Sequence, residues 1–480
     1  MMGVKAIVAQ LMTGFLVLCV LVELVGCSTD GEVARRPLPQ PTLAPTDIPT
    51  EVIDTPTPDK TAEARSLNVL LVTHPTSDVV QRHIGEFEVL SGAQVTLDIG
   101  SYHEVHQKEL IDLGAGTRQY DVMMVLDTWL PEFVDSGNLQ ELRSQLKKLS
   151  DEGDYQWLPD LVPNVNKLLG QWQGKQVDIP LVAATQLLMY RKDLFETQKS
   201  AFKLATGREL AVPTTWPEFN EVARFFTRSL NPNSPVEYGL SVAGAPGNSA
   251  LCLFQTVLWG MGGREFAKKW RVTVNDREGL QAMQLWAEQA RYAPPDAPQM
   301  YWDQMNAVFQ KGDAAMQIQW DAFARSLENV VASNVTGQVG YAPVPGSPDS
   351  APVIAGWLLV INKNSKRVPL AWDFVKWATG PDFGRTLQAE GGQLPRTSLY
   401  TDRELRARYP HYEALLISLE KAQQRTSYAP GGPTLSAQAQ YETILGGAAA
   451  AAFAGEKTPQ EALDAAADAL GKMLEQIGRR

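Results

Sequence analysis

His103 and His106, with Glu104 between them, come closest to a metal motif in this chain. A zinc site of the HExxH kind needs its histidines four residues apart, so that both ligands and the base share one helix face. The spacing of three found here describes a solvated helix face instead. Gly260-Met261-Gly262-Gly263 lacks the GxGxxG spacing that lets a backbone wrap a pyrophosphate, and there is no GxSxG elbow and no Walker loop. No catalytic residue, metal or cofactor is therefore expected. What remains is the chemistry of contact: carboxylates, amides and guanidinium groups that bond polar atoms, and flat rings that cover C–H surfaces. Twelve tryptophans supply rings in plenty.

Position has to separate site from core, and position follows from the elements. Leu67 to Thr73 reads as a buried strand, Ser77 to Leu90 as an amphipathic helix, Gln94 to Ile99 as a strand, His103 to Leu113 as a helix and Tyr120 to Leu126 as a third strand. That alternation is the mark of parallel βαβ units, so the fold class is α/β. Ligands in such sheets sit beyond the carboxyl ends of the strands. Those ends carry His74, Ser101-Tyr102 and Asp127-Thr128-Trp129. Further on, a β-rich run follows the QGKQ turn up to Tyr190, and a capped helix opens at Thr214-Thr215-Trp216-Pro217-Glu218. Phe309 to Trp320 leads from a helix into a strand, Ala355 to Asn362 is another strand, and Pro369 to Ala378 a helix. The tail from Gln438 to Met473 reads as alanine-rich helix.

The amino terminus has a different character. Lys5 precedes an apolar run from Ala6 to Val22, shorter than the ~20 residues a bilayer span needs, which ends at Leu24-Val25-Gly26-Cys27. Small residues before a cysteine suit a lipoprotein signal peptidase. Residues 1–26 are expected to be a signal peptide, with Cys27 as the lipidation site that holds the protein to the outer surface of its membrane. Residues 27–66, with Pro37, Pro39, Pro41, Pro45, Pro49, Pro56 and Pro58, form a semi-stiff tether. The cysteines are Cys19, Cys27 and Cys252, so the processed body keeps one thiol and no internal disulfide. A net charge of −11 repels nucleic-acid backbones, which excludes that class of partner.

The order of several segments resembles the extracellular solute-binding proteins of family 1, the sugar-binding components of ABC importers. The pieces that carry the resemblance are YDVMMVLDTWLPEFVDSGNL, QLLMYRKDLFE with PTTWPEF downstream, VFQKGDAAMQIQWD, GYAPVPG, AGWLLVINKNSKRVPLAWDFVKWATGP and GEKTPQEALDAAAD. The resemblance implies a two-lobed periplasmic-binding-protein-like fold of type II, in which hinge-linked lobes close on a solute. Matching segments put 67–183 and 344–395 in the first lobe and 184–343 and 396–480 in the second, with crossings near Val182, Ala342 and Gln393. The implied partners are a small solute, a carbohydrate for this family, the transporter's permease subunits and the membrane through the lipid anchor, the protein itself acting as a monomer.

The same resemblance places Trp129, Trp320 and Trp357 at the cleft. Asp127 and Asp321 are then the carboxylate acceptors, and Gln186, Trp259, Tyr341 and Arg396 take cleft positions in the second lobe. His74 either bonds a solute hydroxyl or orders the turn with Pro75. Trp216, Trp286, Trp372 and Trp377 read as core. One departure stands out: members of the family often carry acidic residues in the crossing strand, where this chain has Leu181-Val182-Ala183-Ala184-Thr185-Gln186. That departure leaves room for a less polar solute, so a binding protein for a non-sugar solute, a sensory receptor of the same fold and an extracellular carbohydrate-active enzyme are the alternative functions. The enzyme would need a close carboxylate pair, for which only Asp127 and Asp321 offer themselves.

Overall fold

The computed structural model describes residues 65–479 except Tyr155, Pro348 and 426–436. The expected signal peptide, tether and Cys27 lie outside the described residues. Among the described residues no helix is long and apolar enough to cross a membrane.

Three parallel strands open the fold: β1 (Ser66–Val72), β2 (Gln94–Gly100) and β3 (Val122–Leu126), with β1 in the middle. β3 reads as an unbroken apolar run and β1 as one interrupted only by Ser66 and Asn68, whereas the edge strand β2 interleaves Gln94, Thr96 and Asp98 with its apolar residues. The helix α1 (Pro75–Ser91) starts at a His74 cap with proline in its first turn and stops at Gly92, whose φ of 66° only glycine adopts without strain. A Ser101–Glu104 capping box opens α2 (Tyr102–Glu109). The helix expected to reach Leu113 changes at Leu110–Gly114 into a π turn. After β3 the chain passes through Asp127-Thr128-Trp129 into α3 (Leu130–Ser136).

β4 (Asp178–Arg191), β5 (Tyr238–Ser241), β6 (Ala314–Trp320), β7 (Val339–Pro343), β8 (Val353–Ile361) and β9 (Gln423–Gln424) complete one nine-stranded sheet. At about 3.3 Å per residue β4 is about 46 Å long, and its two halves have different neighbours. The first half pairs antiparallel with β8, the second with β6 and β7. One strand thus crosses from the first part of the fold to the second. Side chains alternate along it: Leu187 and Met189 enter one apolar cluster and Leu188 the other. The side of Ala184, Gln186 and Leu188 is called the front below, and the side of Ala183, Thr185 and Leu187 the back.

The first cluster gathers the core of β1, β3, β4 and β8, and the second gathers residues from Leu188 to Val353 with Tyr441 to Leu474. The expected division at Gln393 differs from this. Leu394, Tyr400, Tyr412 and Leu415 pack with the first cluster, and the helix Tyr412–Lys421 lies behind β4 and β7. Residues 396–422 therefore back the crossing, and among the described residues Ala437 and the helices after it join the second cluster. That tail is two helices, Gln438–Phe453 and Pro459–Gln476, interrupted at Gly455 (φ 71°) and restarted by a Thr458–Glu461 capping box.

Candidate functional site

The carboxyl ends of β3 and β6 meet β8 at the front of β4. The register puts Trp357 opposite Val182, Ala355 opposite Ala184 and Trp320 opposite Gln186. Opposed residues share a face, so Trp357, Ala355, Ala184, Gln186 and Trp320 all stand on the front. Ala184 and Ala355 are half-buried while their neighbours Ala183 and Ile354 are fully covered. The two methyl groups form an open floor. On one side Trp129 meets Trp357 edge-on at 5.5 Å and Tyr102 edge-on at 4.6 Å, with His106 stacked on it at 4.2 Å. On the other side Trp302 meets Trp320 at 5.8 Å and donates its indole N–H to Asn248, at the start of the helix Asn248–Gly260.

A buried ion pair stands between these walls. Arg425 donates through Nη2 to Asp127 Oδ1 at 3.0 Å and Oδ2 at 3.3 Å. Asp127 also exchanges backbone bonds with Gly356: its N–H reaches the Gly356 carbonyl at 3.0 Å, and its Oδ1 accepts the Gly356 N–H at 3.2 Å. Burial pushes the Asp127 carboxyl up, against the pull of Arg425. Burial would also lower the guanidinium, but Asp127, Cys252 and Glu442 together hold it above its ordinary range. Cys252 and Thr256, one turn apart on Asn248–Gly260, face the same region. Burial raises the Cys252 thiol to about 12, so it is not a nucleophile. Thr256 donates to Gln186 Oε1, and Gln186 Nε2 has no partner among the described residues.

Floor, rings and ion pair bring polar and apolar contacts together at the front of β4. A family model for bacterial extracellular solute-binding proteins matches residues 76–384. The chain belongs to this family. A relative from Sinorhizobium fredii, described as a probable amino-acid ABC transporter periplasmic-binding protein, is 25% identical over 424 residues, 88% of this chain and 91% of its own. The mannitol-binding protein of Pseudomonas aeruginosa is 24% identical, covering 67% of this chain and 74% of its own. Among solved structures, an ABC transporter solute-binding protein from Agrobacterium radiobacter K84 in complex with ribitol is 26% identical. It aligns with a TM-score of 0.69 over 85% of this chain and 98% of that one. The two-lobed solute-binding fold is therefore that of this chain.

Within this solute-binding protein, five of the residues expected in the cleft come together at the front: Asp127, Trp129, Gln186, Trp320 and Trp357. The other five lie elsewhere. Asp321 turns to the back, where it accepts the Thr185 N–H at 2.9 Å and Gln393 Nε2 at 2.8 Å, tying the crossing strand to the chain's later return. Burial raises its carboxyl to about 6, against the Thr185 and Gln393 bonds. With Asp321 facing away from Asp127's side of the sheet, the two do not form a carboxylate pair. His74 orders the turn: its Nδ1 accepts the Thr76 N–H at 3.1 Å, and burial lowers it to about 4. Tyr341 also packs with the back cluster and donates to Glu328 at 2.8 Å.

Trp259 donates to Glu265 at 2.8 Å in a buried network with Gln255 and Tyr441, which fastens the helix Asn248–Gly260 to Gln438–Phe453. Arg396, expected in the second lobe, is fully buried in the first. It donates to the carbonyls of Thr379 at 2.5 Å and Trp157 at 2.7 Å, pairs with Asp160 at 3.2 Å and covers the Trp157 ring at 4.7 Å. The sequence reading missed Arg425, Ala184 and Ala355 as site residues, and left Tyr102 unassigned at its strand end. Tyr102 was within reach of the strand-end rule. Arg425 had no signal, since nothing in its neighbours Gln424 and Thr426 marks it out.

Proposed function

We propose that this chain captures a small neutral polyhydroxylated solute, of the polyol or monosaccharide kind, outside the cytoplasmic membrane and hands it to the permease subunits of an ABC importer. The Asp127–Arg425 pair set between aromatic rings over an alanine floor carries this reading. A hydroxyl both donates and accepts, so a carboxylate beside a guanidinium answers it twice. The pair is neutral as a whole, which suits a neutral solute, and the half-buried Trp357 and Trp320 offer faces to its C–H surfaces, with Trp129 packed edge-on behind Trp357. The alanines that replace acidic residues in the crossing strand leave the polar work to Asp127 and Arg425. The mannitol-binding and ribitol-bound relatives point to the same solute class.

In this reading the protein binds without turnover, works as a monomer and is held to the membrane by lipid at Cys27, and the front residues Asp127, Trp129, Gln186, Trp320, Trp357 and Arg425 contact the solute. The test is a thermal-shift screen followed by calorimetric titration with ribitol, mannitol, glucose, maltose and a set of amino acids. A solute that binds only the native state raises the melting temperature. Saturable binding of a polyol or sugar that Arg425→Ala abolishes is the expected result. Binding of amino acids alone would overturn the proposed solute class.

A further inference from the structure

The helix Gln438–Phe453 brings a third charged side chain to the front. A Cβ on Gly446 would lie 2.5 Å from the Gly247 carbonyl oxygen, so this helix closes directly onto the turn that opens Asn248–Gly260. Glu442 stands one turn before Gly446 on the same helix face and meets that turn too. Its Oε1 is 3.7 Å from where a Gly247 Cβ would be. The next residue, Asn248, already belongs to the front wall through the bond it accepts from Trp302, which in turn meets Trp320. Glu442 therefore sits beside the Trp302–Trp320 wall, while its neighbours Tyr441 and Ile444 pack with the second cluster.

The charges at the front agree with this placement. Burial comes first in shifting Arg425, the Cys252 thiol and the Tyr102 hydroxyl, and after it each of the three feels both Asp127 and Glu442. Asp127 reaches them from the end of β3, and Glu442 from a helix of the second cluster. The two carboxylates thus face one region from opposite sides.

Their situations differ. Asp127 is buried and paired with Arg425, whereas Glu442 is half-buried and makes no hydrogen bond or ion pair among the described residues. Partial hydration and the amino-terminal end of Asn248–Gly260 let it keep its charge without a cation. Such a carboxylate accepts bonds from hydroxyls, since its oxygens have lone pairs to spare. It also repels a second anion. Asp127 and Arg425 offset one another, so Glu442 sets the sign of the field that a solute meets. Like charges about 6 Å apart near a protein surface repel strongly enough to weaken binding by roughly tenfold or more.

We propose that Glu442 is a specificity-determining residue of the front cleft: it accepts a hydroxyl of the solute from the side opposite Asp127 and turns away solutes that carry a carboxylate or phosphate. This rests on the reading that the front cleft holds a polyol or monosaccharide. The experiment is calorimetric titration of the full chain with matched neutral and acidic solutes: ribitol with ribonate, mannitol with mannonate, and glucose with glucuronate. Parent, Glu442→Gln and Glu442→Asp are compared.

The parent is expected to prefer the neutral member of the pair it binds by roughly tenfold or more, and salt at about 1 M should narrow that preference. Glu442→Gln removes the charge at nearly constant shape and is expected to cut the preference by about tenfold, the acid gaining. Glu442→Asp restores the charge and should keep most of the preference. A merely structural role would weaken both members alike and leave their ratio unmoved. The same ratio in parent and Glu442→Gln, from a parent that binds one of the neutral solutes, would overturn the assignment of Glu442 and leave the solute class standing. A parent that binds none of the three neutral solutes would overturn the solute class, and the assignment with it.

Discussion

Arg396 is where expectation and structure part most sharply, and its replacement tells them apart. As a cleft residue it would matter to solute affinity and little to folding. Its surroundings say the reverse. The side chain is fully buried, gives charge-assisted bonds to the carbonyls of Thr379 and Trp157, pairs with Asp160 and lies over the Trp157 ring. Arg396→Ala strands two carbonyls and leaves a hole in the first lobe, while Asp160 keeps the bonds it accepts from the Ser398 N–H and hydroxyl. Removing one partner of a buried pair costs about 3–5 kcal/mol. Asp160 keeps some solvent contact, which argues for the lower half of that range, and the two lost carbonyl bonds and the ring contact argue for the upper half. A loss of about 4 kcal/mol is expected. Urea denaturation of parent and variant measures it, and calorimetric titration of the surviving folded variant should return the parent's affinity. A variant that keeps its stability within about 1 kcal/mol but loses its solute would refute the structural role and restore Arg396 to the cleft.

Trp320→Ala and Trp357→Ala should each cost about 1–3 kcal/mol of binding with little loss of stability, because both rings are half-buried at the front. Trp372→Ala should do the opposite. Its ring is 5% exposed and meets Trp157 at 5.6 Å, so truncation leaves a cavity worth about 3–5 kcal/mol of stability while affinity is kept, as paired denaturation and titration can read. In pH-dependent denaturation, His74 and His411 take up protons on unfolding between about 4 and their ordinary 6.5, so they make stability rise with pH there. Asp321, held at about 6 against its ordinary 3.8, has the opposite sign, since unfolding releases its proton and stability falls as pH rises through that window. Asp321→Asn should therefore steepen the rise of stability with pH between about 4 and 6, and an unchanged slope would count against the buried, protonated form. Cys27→Ala should abolish lipid modification and partition into detergent in a bacterial host. A variant equally membrane-bound and equally processed would rule out the lipid anchor.

The βαβ start was legible because β1 and β3 are mostly apolar, β2 alternates polar and apolar residues, and the helix starts are capped by local chemistry, His74-Pro75 and Ser101 with Glu104. Such signals live within a few residues and need no knowledge of the rest of the chain. Asp127 and Trp129 followed from the strand-end rule for the same reason. Asp321 failed because one residue of strand alternation separates front from back: Trp320 lies on one side of the sheet, and its neighbour turns to the other to take Thr185 and Gln393. Arg396 failed because its partners, Trp157, Asp160 and Thr379, are remote or unmarked in sequence. Arg425 is the clearest case of information held only in three dimensions, since 298 residues separate it from Asp127.

The crossing strand shows why the polar residues of this site had to come from elsewhere. β4 carries both the crossing and the alanine floor, and alternation assigns those duties to opposite faces. On the back, Thr185 gives its N–H to Asp321 and its hydroxyl to the Val353 carbonyl, while Ala183 gives its N–H to the Gln393 carbonyl at 3.2 Å. That face is occupied by the mechanics of the crossing. On the front, Gln186 has its Oε1 committed to Thr256 and only its Nε2 left, and Ala184 has only a methyl group to offer. A carboxylate at Ala184 would lie close to the Asp127–Arg425 pair and would need a cation of its own. With alanine there, the proposed site has one buried pair to supply both donor and acceptor, and the short side chains leave the front of the strand open. Ala184→Glu should thus raise the Asp127 carboxyl further and compete for Arg425. Calorimetric titration should show binding weakened by tenfold or more at neutral pH, roughly the 1.4 kcal/mol that one unit of carboxyl shift represents. If Ala184→Glu instead tightens binding of the same solute, the floor is a polar subsite waiting for a carboxylate, and the division of labour argued from β4 is wrong.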